Sequence, residues 1–449
     1  MVRLSKNPGP AAAHRLQPCA LNEKAGSYSV SVGIEGTLEP RTGKHTLKST
    51  GHFRGARWAK DFALVRALGL KEVRYPIPWD RIERERGTYR WQLLDPILAN
   101  ACTDQRLRII ADPLHHTSYP AWLSNGFLHP DFPAAYADFV EAFAARYPMI
   151  TTYTPFNEPT CTLDFCGDRG FWHPYATGDA SYVTMLRHTA RGTAESIHRI
   201  RRLRPDAYIL HVDTFERHTA LDGASQARAR FLNERRFLFE ELITGLVDDR
   251  HPLYGYLVTH GFPREALAWH TGHPVQIDER GGNYYPLNEE QLLHGQTHAA
   301  PSGEPIGLAR LTQEYAQRLR YPLSLTETNI QGSVHDRISW LKYIVEQAEM
   351  LQGTKAALRR LAWYPLFDCS GWSSLLQGKR WARDPQGIFS CDVGWGRCAT
   401  EFSRIYRAVA DGMRSDGIPA YAFTPRHDGT LRALKKAMHW DWLPQPGAA

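Results

Sequence analysis

Eight short runs rich in β-branched or aromatic residues, most of them separated by longer amphipathic stretches, set the tightest limit on how this chain can fold. The runs cover residues 27–32, 71–75, 106–111, 150–156, 207–212, 274–284, 321–326 and 360–366. Between them the spacing of apolar residues predicts helices over 55–68, 134–146, 182–203, 226–244, 308–317 and 333–351, with a last helix over 400–413. Alternating β and α units imply a parallel sheet with right-handed crossovers. Eight such units close into an α/β fold, a single (β/α)8 TIM barrel, whose working residues sit at the C-terminal ends of the strands. The stretch 251–304 is rich in Gly, His and Pro and reads as long loops around the sixth run.

A chain of 449 residues could hold about three average domains, but one barrel absorbs the same length. No repeat of fixed period and no linker interrupts it. The expected organisation is a flexible N-terminal segment over 1–24, a barrel with a C-terminal extension over 25–440, and a flexible tail over 441–449. No apolar run reaches the roughly 18 residues of a membrane span. Residues 1–21 lack the continuous apolar core of a secretory signal, so a cytoplasmic location is expected. The seven cysteines show no CxxC spacing, and reduced thiols are expected. The net charge of +7 is spread as arginines on helix faces, without the aromatic-interleaved basic stripe of a nucleic-acid binder. Homo-oligomerisation stays open.

Two glutamates end two of the strand-like runs. Glu158 follows Thr154-Pro155-Phe156-Asn157, and Glu327 sits in Leu325-Thr326-Glu327-Thr328-Asn329. A barrel that presents two carboxyls at strand ends can place them across a glycosidic bond, one as proton donor and one to trap the cationic sugar. Glu158 is the expected acid/base, beside Asn157 as a donor to a sugar hydroxyl, and Glu327 the expected nucleophile. A nucleophilic carboxylate needs a cation and donors nearby; Arg74 and Tyr285 are placed for that. His115 and His116 are adjacent. Neighbours on a strand face opposite ways, and no ligand cluster accompanies them, so one is expected to bind sugar hydroxyls and neither a metal. Trp79, Trp363 and Trp372 lie at or just after strand ends and are expected to pack on a sugar. No cofactor is implied.

These segments, in this order, resemble glycoside hydrolase family 1, the retaining β-glucosidase and β-galactosidase family. The family's T-F-N-E-P motif is similar to 154–159 with Pro155 added, and T-E-N-G to 326–329 with Thr328 inserted. Y-R-F-S-I-x-W-S-R-I resembles 73–82, giving Arg74 and Trp79. Y-H-W-D-L-P resembles 115–120, which makes His116 the sugar-binding histidine. I-N-Y-Y resembles 282–285, so Asn283 joins Tyr285 in support of the catalytic pair. W-S-L-x-D-N-F-E-W resembles 363–372, and F-G-L-V the stretch 387–389. The resemblance implies a carbohydrate or glycoside substrate, a covalent glycosyl-enzyme intermediate and no metal.

Two departures stand out. Gly33 replaces the Gln that opens the family's Q-I-E-G, and Gly371 replaces the Glu of F-E-W. Those side chains normally clamp the terminal sugar. Hydroxyls left without partners would cost about 1–3 kcal/mol each, so an atypical or modified glycon is expected, with Glu35, Asp368, Lys379 and Arg380 as candidate contacts. The alternatives are a transglycosidase using the same pair, a 6-phospho-β-glycosidase and a non-catalytic carbohydrate-binding relative.

Overall fold

The computed structural model describes residues 28–40, 42–295, 300–302, 305–371 and 383–422. Its centre is a closed barrel of eight parallel strands. In chain order they are β1 Ser29–Gly33, β2 Glu72–Pro76, β3 Arg108–Asp112, β4 Thr152–Tyr153, β5 Tyr208–Thr214, β6 Glu279–Asn283, β7 Leu323–Glu327 and β8 Leu358–Trp363. Each pairs with its neighbours in sequence, and β1 pairs with β8 from Ser29↔Arg360 to Val32↔Trp363 to close the ring. β2, β6 and β7 are buried along their whole length, as strands covered on both faces must be.

Helices α1 Arg57–Ala67, α2 Asp95–Ala99, α3 Phe132–Arg146, α4 Asp179–Leu203, α5 Gln226–Ile243, α6 Leu308–Arg318, α7 Val334–Met350 and α8 Glu401–Ala410 lie along the chain between and after the strands. One continuous apolar core fills the layer between them and the sheet. Local signals set the helix starts. Pro133 stands in the first turn of α3, where its missing N–H costs nothing. Ser333 and Asp336 form a reciprocal capping box at α7, and Thr400 and Ser403 do the same at α8.

Ile110, Leu210 and Val212 form a separate apolar cluster. Near the N-terminal strand ends a buried ionic plug closes the barrel. Arg360 Nε donates to Glu72 Oε1 at 2.9 Å and Arg360 Nη1 donates to Glu279, which also accepts from Ser324 and, at 2.7 Å, from the Tyr208 hydroxyl.

Two readings of the sequence change. The stretch 251–304 holds helices Tyr254–Thr259 and Arg264–Gly272, and its strands Glu289–Leu292 and Ala300–Pro301 form a small sheet with Arg217–Ala220 outside the barrel. The fourth run, expected over 150–156, is a strand only at Thr152–Tyr153. Beyond Tyr153 the chain keeps step through single bridges of Asn157 to His115 and Val212. Segments 1–24 and 441–449 lie outside the described residues. Among those described, six cysteines are free thiols and no helix is long and apolar enough to cross a membrane.

Candidate active site

Five strand ends deliver one buried cluster at the C-terminal mouth of the barrel. Glu327 is the last residue of β7 and pairs in register with Asn283, the last of β6. Arg74 lies in β2, opposite Gly33 of β1. Asn157 and Glu158 follow β4; their backbone N–H groups donate to Leu114 O at 3.0 Å and Val212 O at 3.1 Å. The turn after Glu158 is the short helix Pro159–Leu163. It is tied to the end of β5, where Asp213 accepts from the Thr160 hydroxyl at 2.7 Å and the Thr160 N–H at 3.2 Å. Glu158 itself has φ 49° and ψ 57°, and His116 has φ 53°. The left-handed region is uncommon for such side chains and is found disproportionately at functional sites.

The two glutamates have different surroundings. Glu327 forms an ion pair with Arg74 Nη2 and accepts from the Tyr285 phenol at 2.5 Å. Arg74 Nη1 donates to Asn157 Oδ1 at 2.6 Å and lies 3.4 Å from Asp112 Oδ2. A cation and a hydroxyl donor therefore face Glu327, which favours its ionised form. Glu158 accepts from Asn283 Nδ2 at 2.8 Å, and its Oε2 accepts no hydrogen bond. Burial pushes the Glu158 carboxyl up to about 7, against the opposing hydrogen bond from Asn283. Thr326 donates to Asn283 Oδ1 at 2.7 Å, which fixes the amide with its N–H toward Glu158.

Both histidines join the cluster. His116 is buried, with Nδ1 2.8 Å from the Thr162 hydroxyl and Nε2 3.3 Å from Asn157 Nδ2 and 3.7 Å from Glu158 Oε2. Burial first, and then the charge of His115, hold it well below the usual histidine range. His115 has Nδ1 2.8 Å from Asp112 Oδ2 and Nε2 3.3 Å from Glu35 Oε1. Burial works against its charge, but the Glu35 and Asp112 carboxylates outweigh that and carry it to about 9. Both rings reach the cluster because β3 ends at Asp112 and the left-handed turn at His116 breaks the strand alternation that would set them on opposite faces.

The structure brings together Glu158, Glu327, Arg74, Tyr285, Asn283, His116 and Asn157. It does not bring Trp79 or Trp363 to them. Trp79 is wholly buried, stacked on Phe139 of α3 at 5.2 Å, with its indole N–H on Glu83. Trp363 packs on Phe402 of α8 at 4.4 Å and donates to Gln386 O at 2.8 Å. Arg360 points into the barrel, so strand alternation sends Trp363 outward and Tyr364 inward. Trp372, Lys379 and Arg380 lie outside the described residues, and Asp368 is occupied with Arg337 and the N–H groups of Gln386 and Gly387.

Sequence reasoning missed Tyr364 and Asp112, and passed over His115 for its neighbour. Tyr364 covers Gly33: a Cβ there would sit 2.2 Å from the ring. Its hydroxyl donates to Ile34 O at 3.1 Å and lies 3.2 Å from His115 Nε2, and the Arg74 guanidinium lies 5.0 Å from its ring centre. At Gly371 a Cβ would meet Asp384 Oδ2 and Gln331 Nε2, each at 2.6 Å. Each glycine's missing side chain is thus matched by a neighbour drawn from elsewhere. The signal for Tyr364 was the inward register of β8, four residues on from Arg360 on the same face.

Residues 50–162 match the model of a β-galactosidase family, glycoside hydrolase family 42. That segment contains Arg74, Asn157 and Glu158. No curated protein matches the sequence. Among solved structures, the β-glucosidase of Thermotoga maritima in complex with deoxynojirimycin superposes with a TM-score of 0.71, at 16% identity, over 88% of this chain and 99% of that one. The same enzyme in complex with azafagomine gives 0.69 at 16% identity over 88% and 99%. A structure described as the family 1 β-glucosidase of that organism gives 0.69 at 16% identity over 88% and 98%. The fold is therefore the TIM barrel on which these glycosidases are built. The comparisons agree on that barrel and differ on the family, 42 for the matched segment and 1 for the superposed structure. Among the described residues no group of three or more His, Cys, Asp or Glu converges as metal ligands would.

Proposed function

We propose that this chain is a retaining β-glycosidase, related in its motifs to family 1, acting on a glycoside with an atypical glycon. The observation that carries the reading is the asymmetry of the two buried glutamates. Glu158 is held toward its protonated form, while Glu327 faces Arg74 and the Tyr285 phenol. A pair whose surroundings push them apart in this way suits one acid and one nucleophile.

In the first step a Glu327 oxygen attacks the anomeric carbon. The bond to the aglycone oxygen breaks, its electron pair stays on that oxygen, and the oxygen takes the proton of Glu158. In the second step the Glu158 carboxylate takes a proton from water, whose oxygen attacks the same carbon. The ester bond to Glu327 breaks and its electrons return to the carboxylate. Arg74 and Tyr285 stabilise Glu327 as it leaves. Asn283 orients Glu158 for both proton transfers. His116 and Asn157 supply polar edges to the sugar. The aromatic wall over Gly33 and the Asp384–Gln331 pair over Gly371 support a glycon that differs from an ordinary terminal glucose or galactose.

Mass spectrometry of intact protein after exposure to activated 2-fluoro glycosides tests this. A single adduct mapping to Glu327, absent from Glu327→Gln, is the expected result. Turnover of glycosides with inversion at the anomeric carbon, followed by NMR, would overturn it.

A further inference from the structure

Resting on the glycosidase reading for the nature of the ligand, we infer that Glu35 reads the glycon: its open oxygen accepts from the hydroxyl or ammonium groups of a neutral or amino sugar and turns away sugars bearing carboxylate or phosphate.

Glu35 stands two residues beyond the end of β1, on the mouth side of the barrel, next to the cleft wall that Tyr364 forms over Gly33. One carboxylate oxygen is fixed. Oε1 accepts from the Thr37 N–H at 2.6 Å and lies 3.3 Å from His115 Nε2. Oε2 makes no hydrogen bond to a described residue, and the side chain is 11% exposed at the same end of the barrel as the catalytic pair. Glu35 is joined to the catalytic group through His115 and Asp112, whose Oδ2 lies 3.4 Å from Arg74 Nη1.

The neighbouring cations do not offset this oxygen for a substrate. His115 has both ring nitrogens engaged, Nδ1 with Asp112 and Nε2 with Glu35 and the Tyr364 hydroxyl. Arg74 is matched by Glu327 and Asp112. Three carboxylates, Glu35, Asp112 and Glu327, thus face two cations, and the excess is negative. An anionic group near Glu35 would meet repulsion in a poorly screened site, whereas a hydroxyl or ammonium would find an acceptor already oriented. The imidazolium acts as a positioning group for Glu35: it keeps the carboxylate charged, well below the usual glutamate range despite burial, and aims Oε2 away from itself.

Calorimetric titration of the full chain with non-hydrolysable thioglycosides tests the assignment without requiring turnover. The probes are matched pairs built on glycons other than plain glucose and galactose: 4-nitrophenyl 1-thio-β-mannoside and its mannuronide, and the 1-thio-β-N-acetylglucosaminide and its uronate. In wild type the neutral member of at least one pair should bind about ten-fold more tightly or better. Glu35→Gln, which keeps an acceptor for Thr37, should bring that pair within about three-fold, chiefly by tightening the anionic member. The inference is overturned if wild type prefers the anionic members, if it binds neither member of either pair, or if a folded Glu35→Gln leaves the ratio unchanged. If the thioglycosides behave as expected but no matching O-glycoside is hydrolysed, the hydrolase reading fails and the role of Glu35 stands.

Discussion

Replacing Gly33 by Ala isolates the contact that most distinguishes this site. Gly33 lies in a regular strand, so alanine brings no backbone penalty of its own. Its Cβ would land 2.2 and 2.3 Å from Cδ2 and Cε2 of Tyr364, where ordinary contact begins near 3.4 Å. The ring must retreat by about 1 Å, and it is held on several sides. Its hydroxyl bonds Ile34 O and His115, Arg74 lies against its face, and its carbonyl accepts from Asn329 Nδ2 at 2.6 Å. Overpacking costs about 1–3 kcal/mol, and each hydroxyl hydrogen bond lost adds about 0.5–1.5 kcal/mol. Gly33→Ala should therefore destabilise the fold by ~2–5 kcal/mol. Tyr364→Ala alone leaves a cavity and costs ~3–5 kcal/mol. In the double variant the new methyl has room, so it should be no less stable than Tyr364→Ala. Urea unfolding of the four proteins gives the coupling energy directly. If Gly33→Ala costs under about 0.5 kcal/mol, or the two costs simply add, the interlock between these residues is refuted.

Wild type should lose kcat/KM as pH rises through about 7; Glu158→Gln should slow substrates with poor leaving groups by about 10²–10⁴-fold and abolish that fall, and an unchanged alkaline limb would contradict the acid assignment. Because the folded-state pKa of Glu158 is raised, its contribution to stability is complete below the unfolded value near 4.3 and is lost as pH climbs through about 7. The loss is ~4 kcal/mol, so Glu158→Gln should melt higher than wild type at pH 8. Tyr285→Phe removes the 2.5 Å bond to Glu327 and should lower kcat about ten- to a hundred-fold while moving the acid limb of the profile to higher pH. His115 has a raised pKa, so its stabilisation is complete below about 6.5 and fades as pH rises through about 9. His115→Gln leaves Glu35 and Asp112 without their shared cation; it should cost ~3–5 kcal/mol at pH 6 and flatten the decline between pH 6.5 and 9 in urea midpoints.

The barrel was legible because its signal is repeated and periodic: each of the eight strand runs overlaps a strand of the structure. The edges were not. The fourth run reads as seven residues of strand because 150–156 is rich in β-branched and aromatic residues, yet the left-handed turn at Glu158 and the bridging of Asn157 draw its second half into the site. Residues whose chemistry depends on a charge at a strand end, Arg74, Glu158 and Glu327, were read from motif and position together. Residues whose role depends on which face they occupy were not. At β8 a shift of one residue exchanges the cleft for the helix layer, and Trp363 lost its expected place to Tyr364. The grouping of Glu35 with Asp112 and His115 joins two segments about 80 residues apart, and no local pattern announces it.

The left-handed backbone at Glu158 limits what a replacement there can be expected to do. Glycine or asparagine would occupy φ 49° with less strain, about 1 kcal/mol less for glycine. Position 158 therefore carries a carboxyl where the turn alone would favour a residue that has none, and His116 stands in the same conformation beside it. Both side chains are kept in place by the contacts around them, to Asn283 and to Thr162, against the preference of their own backbone.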